Sequence, residues 1–384
     1  MKKILSFLAA MIIAATTFAK ESELNEVTLT TIGTAPSKEQ AVNQALRSAI
    51  EQAFGTFISA NTKIVNDALT KDEIVSLSSG NIKNYEELSC ATLSNGNTTV
   101  SLRATVSIQK LTTYAKSHGS QCEFAGNTFA QNMKLRELYR QNEAKAIENL
   151  LEQLELMMPY AFQYSINITG EPKEYGSSYK VPVSFSLNAT ENSGAVMLLI
   201  TTTLSSVSLS EAEQASYRST NTAYYPVTIA NSNPPLDKVQ RDAYGRIFDN
   251  GKEISQGEYI KRYHEKSYYF RNEFPLEKFC KVINVATKFK VYAVLDNSRM
   301  KCQCKFVDRQ GYECGINLVE ITSKYEKKIS IKNSHLWASS THSKSHAKKK
   351  NVPQKTSTVI STGGYVLVNK ENMNSVRGLE IEHP

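Results

Sequence analysis

The sequence predicts an α+β fold of successive β-α-β-β units, with antiparallel sheets each covered by a helix. Three observations predict it. Apolar residues from Ala41 to Phe54 recur at helical spacing. Thr99 to Ile108 alternates polar and apolar at strand spacing. The order strand, helix, strand, strand then recurs further along the chain. At 384 residues the chain is long for one core, and its 41% hydrophobic content can build more than one.

The N-terminus reads as an export signal. Lys2 and Lys3 form a positive start, Ile4 to Ile13 is apolar apart from Ser6, and Thr17-Phe18-Ala19 offers small residues for cleavage after Ala19. The apolar run is shorter than the ~20 residues of a spanning helix. No Cys stands at the cleavage position for lipid attachment, and no later stretch is long and apolar enough to cross a bilayer. The expectation is a chain exported by its signal peptide, with no transmembrane segment after cleavage, placed in the periplasm, at the outer membrane or outside the cell.

Leu24 to Ile32 is the first expected strand. Pro36-Ser37 opens a helix, with Ser37 and Gln40 as a capping box. Ala41, Ala45, Ala49 and Ala53 form one ridge of it, and Val42, Leu46, Ile50 and Phe54 the next. The alanine half allows close approach to a sheet, and Gly55 is the expected stop. Thr62 to Leu69 reads as a short helical piece. Asn81 to Leu93 and Thr98 to Leu111 form a hairpin about Asn95-Gly96. Val100, Leu102, Ala104, Val106 and Ile108 line one face of its second strand, and polar residues the other, as in a half-buried antiparallel strand.

A helix from Asn127 to Met158 ends at Pro159. Strands at 160–168 and 181–187 flank a Gly176-Ser177-Ser178 turn, and Pro182 suggests an edge strand. Ala195 to Leu209 fits helix or strand. Asn231 to Pro235 reads as a linker. The third round has a strand at Tyr268–Arg271, a helix at Pro275–Lys288 and a strand at Phe289–Leu295. A hairpin of Lys301–Val307 with Tyr312–Val319 follows, about Arg309-Gln310-Gly311. Ser339 to Lys355 has no apolar periodicity and is expected to be disordered. Thr356 to Val368 is read as a small hairpin about Gly363-Gly364, able to pair with a sheet edge. The expected organisation is a signal peptide at 1–19, β-α-β-β domains at 20–125, 126–230 and 231–322, and a basic, largely disordered tail at 323–384 with a hairpin at 356–368.

Gly33, the helix residues Ala41, Ala45, Ala49 and Ile50, Gly55, Gly80-Asn81-Ile82, Tyr85 and the strand Val100 to Val106 together resemble a bacterial envelope family. It is the domain at the N-terminus of flagellar assembly protein T and of related exported lipoproteins. The resemblance covers the first domain only. It implies a periplasmic or outer-membrane-associated β-α-β-β domain with a structural or assembly role and no catalysis. The later blocks depart from the flagellar protein, so the domain and compartment carry over and the flagellar role does not.

The formal charge of +8 is concentrated. Lys324 to Lys355 holds nine lysines against the single acid Glu326, which leaves the rest of the exported chain close to neutral. Lys344, Lys348, Lys349, Lys350 and Lys355 are the candidates for binding a polyanion such as an anionic cell-surface polymer; a solvated linker explains them as well. No nucleic-acid partner is expected. The chain has six cysteines, and an oxidising compartment permits disulfides. Cys90 and Cys122 flank the first hairpin, and Cys302, Cys304 and Cys314 surround a later one, so these five are disulfide candidates; buried free thiols are the alternative. Cys302-Gln303-Cys304 lacks the fourth ligand of a zinc site. His342 and His346 are spaced for a metal on a helix, in surroundings that favour weak binding at most. His118 and His264 read as solvated.

No nucleophile elbow, phosphate loop or dinucleotide fingerprint occurs. Glu86-Glu87 and Glu211 with Glu213 lie on polar stretches. Tyr224-Tyr225 and Tyr268-Tyr269-Phe270 fit sheet packing or, alternatively, stacking on a ligand. No catalytic residue, cofactor or metal is therefore assigned. The expected function is that of a non-catalytic exported cell-envelope protein acting by protein–protein contact, a scaffold or assembly factor that meets other envelope proteins or itself. The alternative is a glycan or cell-wall binding module using tyrosine-rich sheet faces and the Lys-rich tail.

Overall fold

The computed structural model describes residues 26–57, 80–93, 95–117, 128–231, 239–242, 246–249, 251–259, 265–308, 310–331 and 358–383. The expected helical piece at 62–69 lies outside them. The class is mixed α+β. The chain divides into two compact units, one running to Leu150 and including Thr202–Val207, the other formed by Leu151–Thr201 and Ser208–Pro384. The sequence suggested boundaries at 125, 230 and 322; chain contacts set them elsewhere, because later strands return to earlier sheets.

In the first unit, β1 (Glu26–Ala35), α1 (Lys38–Phe57), β2 (Ile82–Thr92) and β3 (Thr98–Ser107) form an antiparallel sheet of order β1-β3-β2 with α1 on one face. Because β3 is central, its row Val100, Leu102, Ala104 and Val106 is fully buried against Ala41, Ala45, Ala49 and Ile50. Gly33 makes this contact possible. A Cβ there would fall on the Ala41 carbonyl and within 2.7 Å of the Ala45 nitrogen. The helix starts as expected, with Ser37 Oγ accepting from the Gln40 N–H at 3.3 Å. It runs past Gly55 to Phe57, however. Gly55 has no positive φ there, so it forms no C-terminal stop.

Two further differences are local. The hairpin closes between Leu93 and Asn97. Gly96 N–H donates to the Leu93 carbonyl at 3.0 Å and Leu93 N–H to the Asn97 carbonyl at 2.7 Å. Of Asn95 and Gly96 only Gly96 takes a positive φ, +83°. Strand β3 also ends at Ser107, whose Oγ accepts from the Lys110 N–H at 3.4 Å and starts α2 (Ile108–Ser117). Ile108 and Leu111 turn into the same core on that helix.

The polar face of β3 is less exposed than alternation suggests: Thr99 and Ser101 are buried, as are Thr30 and Thr31 of β1. The first-unit part of α3 (Thr128–Met157) reaches this strand. Asn142, itself buried, closes the outer edge of β1: its Oδ1 accepts from the Thr30 N–H at 3.0 Å and its Nδ2 donates to the Thr30 carbonyl at 2.8 Å. The carboxamide thus substitutes for a neighbouring strand. Its Nδ2 also donates to Gln52 of α1 at 2.9 Å. At the end of α4 (Glu191–Val207), Ser206 Oγ accepts from the Thr30 hydroxyl at 2.9 Å. The segment for which helix and strand were both open is this helix.

In the second unit, α3 ends in a short 3-10 turn at Met158–Tyr160. The strands β4 (Phe162–Ile168), β5 (Lys173–Tyr175) and β6 (Ser178–Ala189) follow, then α5 (Glu211–Ser219) and β7 (Tyr225–Asn231). Short strands β8 (Val239–Arg241), β9 (Ile247–Asp249) and β10 (Lys252–Ile254) make their own sheet, followed by α6 (Gln256–Tyr259). Then come β11 (Glu265–Phe270), α7 (Leu276–Ile283), β12 (Lys290–Leu295), β13 (Arg299–Val307), β14 (Glu313–Cys314), β15 (Val319–Ser323), β16 (Lys328–Ile331), β17 (Thr358–Asn369) and β18 (Val376–Glu382).

The two later expected units do not keep separate sheets. One eight-stranded sheet has the order β18-β12-β13-β17-β6-β4, with β14 on β13 and β5 on β6. Strands from both blocks share it, and β11 joins a different sheet, β11-β7-β16-β15, in which β16 runs parallel to β7. The expected second hairpin strand is also divided: only Glu313-Cys314 pair with β13, and β15 begins at Val319 in the four-stranded sheet. Asn284 makes that switch. Its Oδ1 accepts from the Leu318 and Val319 N–H groups at 2.8 and 3.0 Å, and its Nδ2 donates to the Val319 carbonyl at 2.8 Å.

The larger sheet curls about one apolar interior formed by Val181, Val183, Val291, Ala293, Cys302, Val366 and Val368. Its two edges approach each other, with His383 beyond β18 meeting the Tyr164 ring of β4 edge-on at 4.7 Å. Pro182 lies on central β6 rather than on an edge strand. Its carbonyl accepts from the Thr169 N–H at 2.9 Å, in the gap between β4 and β5. N–H and C=O of one strand residue point the same way, so the missing N–H faces that interruption.

The run 339–355, expected to be disordered, lies outside the described residues, and the described residues after it are largely strand. Thr358–Asn369 is one continuous strand with no turn at Gly363-Gly364, and it lies between β6 and β13. Neither glycine has a positive φ. A Cβ on Gly364 would strike the Lys305 carbonyl and stand 3.1 Å from Phe306 Cα, so glycine is required where β17 meets β13. No single described helix is long and apolar enough to cross a membrane; α4 and α5 pass that test only as a pair bent by 43°.

Candidate functional site

The expected site residues fall in separate places. Lys344, Lys348, Lys349, Lys350 and Lys355, together with His118, His264, His335, His342, His346 and Cys122, lie outside the described residues. Cys90, Cys302, Cys304 and Cys314 are free thiols, and so is Cys280. Cys314 stands opposite Phe306, and Cys304 opposite Val366, so the register does not bring the hairpin thiols face to face. Cys302 belongs to the interior of the curled sheet and Cys304 packs against it. Burial pushes the Cys304 thiol up to about 12 and the Cys280 thiol to about 11, and it raises Cys302. These groups stay protonated and unreactive at neutral pH. Cys90 and Cys314 are exposed. Among the described residues no three His, Cys, Asp or Glu side chains gather as a metal site.

Of the carboxylates the sequence marks, Glu86, Glu87 and Glu213 are engaged by neighbours. Glu86 meets Arg103 at 3.4 Å and Glu87 meets Lys38 at 2.9 Å. Glu213 accepts from the Ser210 N–H in the capping box that starts α5, and holds the nearly buried Arg271 at 2.5 Å. Of the aromatic runs, Tyr268 and Phe270 are core residues. Tyr269 and Tyr224 pack edge-on at 6.0 Å, and Tyr224 on Tyr217 of α5 at 6.4 Å. These tyrosines serve packing.

A different group, which the sequence reading did not single out, occupies the outer face of the curled sheet. Strand alternation turns Val181 and Val183 of β6 inward, and therefore Lys180 and Ser184 outward. On β17 it turns Val366 inward and Gly363, Tyr365 and Leu367 outward. The β5–β6 hairpin, turning at Gly176-Ser177, brings Tyr175 alongside. Lys180 Nζ lies 3.9 Å from the Tyr175 ring centre and 4.5 Å from that of Tyr365. A cation between two ring faces is favourable in itself. The Tyr365 hydroxyl donates to Glu313 Oε1 at 2.7 Å, and Lys305 Nζ donates to Glu313 Oε2 at 2.9 Å.

These bonds act on the acids in opposite senses. The Glu313 carboxylate pushes the Tyr365 hydroxyl up to about 12, and the Tyr365 and Lys305 donors hold Glu313 below the usual carboxylate range. The phenol therefore remains a donor and the carboxylate an acceptor across the neutral range. Every member sits on a strand, so the array is preorganised.

Beside it lies a groove of about 510 Å³, walled by Ser184, Val307, Asp308, Ile316, Asn317 and Ser361, with Cys314 and Gly363 on its surface. Asp308 is occupied: its Oδ1 accepts from the Gln310 and Tyr312 N–H groups, both at 2.9 Å, and fixes the loop. Gly363 has a different role from its neighbour Gly364. A Cβ there would meet only Val307 Cγ2 at 4.0 Å, so the missing side chain leaves the floor open.

The first unit presents another surface. Asn142 closes the β1 edge, and β2 forms the opposite edge with nothing paired to its outer side among the described residues. Lys83 to Glu87 are exposed in succession, with Tyr85 half exposed at the middle. Register shifts near both ends of that stretch, and the ion pairs of Lys83, Glu86 and Glu87, keep the edge charged and irregular.

No family model, no curated protein and no solved structure matches this chain.

Proposed function

We propose that this protein is a non-catalytic exported cell-envelope protein that works by protein–protein contact, as a scaffold or assembly factor. The observation that carries the reading is the asymmetry of the first unit. One sheet edge is sealed by a buried carboxamide, and the other presents a row of exposed residues centred on Tyr85. An open edge is a template for a further strand, and its charges restrict pairing to a partner that complements them. The envelope assignment is supported by the signal-like N-terminus and by the resemblance of Gly33, Ala41, Ala45, Gly80 to Ile82 and Tyr85 to the envelope domain. In this fold Gly33 and the alanine ridge form the strand–helix contact.

The test is a photo-crosslinking residue at Tyr85 in intact cells, with Tyr160, equally exposed in the second unit, as the control. The expected result is a discrete protein adduct from position 85 and none from 160. Equal or absent labelling at the two positions contradicts the reading.

A second reading, binding of glycan or cell-wall material, is favoured by one observation: the Tyr175–Lys180–Tyr365 array beside the open groove.

A further inference from the structure

We infer that the outer face of the curled sheet binds an acidic saccharide, with Lys180 receiving a carboxylate of the sugar and the groove floored by Gly363 receiving the adjoining sugar unit. The inference rests on the second reading above and names its ligand. Four features of the site lead to it.

The first is aromatic surface. Tyr175 is 55% exposed on a turn-adjacent strand, and a flat ring at this exposure offers a face to the C–H side of a pyranose. The second is charge. Among the described residues Lys180 forms no ion pair within 4 Å; its ammonium is held by the two rings and retains N–H donors for an incoming anion. Lys305, by contrast, is already engaged by Glu313. The third is hydroxyl recognition. Ser184, Ser361 and Asn317 line the groove, and their side chains make no hydrogen bond to another described residue. Such groups offer the mixed donors and acceptors that sugar hydroxyls need. The fourth is size. The groove volume lies within the ~300–1,000 Å³ of small-ligand sites, and Gly363 stands two residues before Tyr365 on the same strand face, so the groove adjoins the array.

A neutral sugar would leave the Lys180 donors unused. A free inorganic anion would leave the ring faces and the groove unused. A ligand carrying both a sugar ring and a carboxylate uses all four features. An acidic polymer of this chemistry is also the class of anion expected at a cell surface.

The test is calorimetric titration of the purified full-length chain with a tetrasaccharide of uronic acid units, and with the same tetrasaccharide after reduction of its carboxylates to alcohols. Saturable binding of the uronate is expected, with the neutral analogue weaker by about tenfold or more, the loss of one charge-assisted contact. Lys180→Gln is expected to bring uronate binding down to the neutral level. Gly363→Val fills the floor where only Val307 Cγ2 is near, and is expected to abolish both bindings with the melting temperature unchanged.

Equal binding of the two sugars overturns the acidic assignment and leaves the glycan reading standing. No binding of either overturns both. Uronate binding that survives Lys180→Gln and Gly363→Val, and is lost on deletion of residues 339–355, overturns the inference in favour of the Lys-rich segment.

Discussion

Gly33 and Gly364 are each required by a neighbouring backbone, and Gly363 by none. At Gly33 the helix carbonyl of Ala41 occupies the space a side chain would need. Gly33→Ala is therefore expected to cost ~3 kcal/mol by forcing β1 away from α1. Gly364→Ala is expected to be of similar size, and Gly363→Ala to stay within ~0.5 kcal/mol. Denaturant titration of the three variants checks the order; a tolerated Gly33→Ala contradicts the packing. The sequence marked Gly33 and the alanine ridge separately, since each pattern is local, and the contact between them follows only from the fold. The thiols behave similarly. Spacing alone left Cys302, Cys304 and Cys314 open to bridging, whereas the fold buries Cys302, packs the half-buried Cys304 against the same interior and leaves Cys314 exposed. Alkylation of the native chain at neutral pH is expected to modify Cys314 and to spare Cys280, Cys302 and Cys304, read by peptide mass. Protection of Cys314 by a disulfide would contradict it.

Strand β17 is the element on which the second unit depends. It pairs with β6 over eleven positions and with β13 over five, so without it both would be edges of separate sheets. Ending the chain after Ile331 removes β17 and β18 together. The expected outcome is loss of amide protection in β6 and β13, with protection in β3 retained, because the first sheet takes no strand from the C-terminus. Hydrogen exchange read by mass spectrometry distinguishes this from uniform loss. The glycine pair in β17 carries the usual sign of a turn. Long-range partners override such local signals, and pairing between residues 183 and 364 has no trace in either segment. The same applies to Asn142, which sits in an ordinary helical pattern 112 positions from the strand it closes. Elements with strong periodicity were legible: α1, α3, the inward row of β3, and the inward row of β6. Their boundaries shifted where capping changed the path, as at Ser107.

For the molecule as a whole, no local pattern marks the array around Lys180, because its members come from three stretches far apart in the chain: 175–180, 305–313 and 365. What each of them shares with ordinary surface residues is composition; what sets them apart is register. The two surfaces lie in different units, the charged open edge of β2 in the first and the tyrosine–lysine face in the second. Both suit contact with an extended or repetitive partner. The proposed role places the working protein outside the cytoplasm and in a complex. The most direct measurement is therefore N-terminal sequencing and native sizing of the chain recovered from fractionated cells. The account predicts a chain beginning at Lys20, in the envelope or external fraction, migrating as an assembly larger than one copy. A chain beginning at Met1, in the cytosolic fraction and migrating as a single copy, would contradict it.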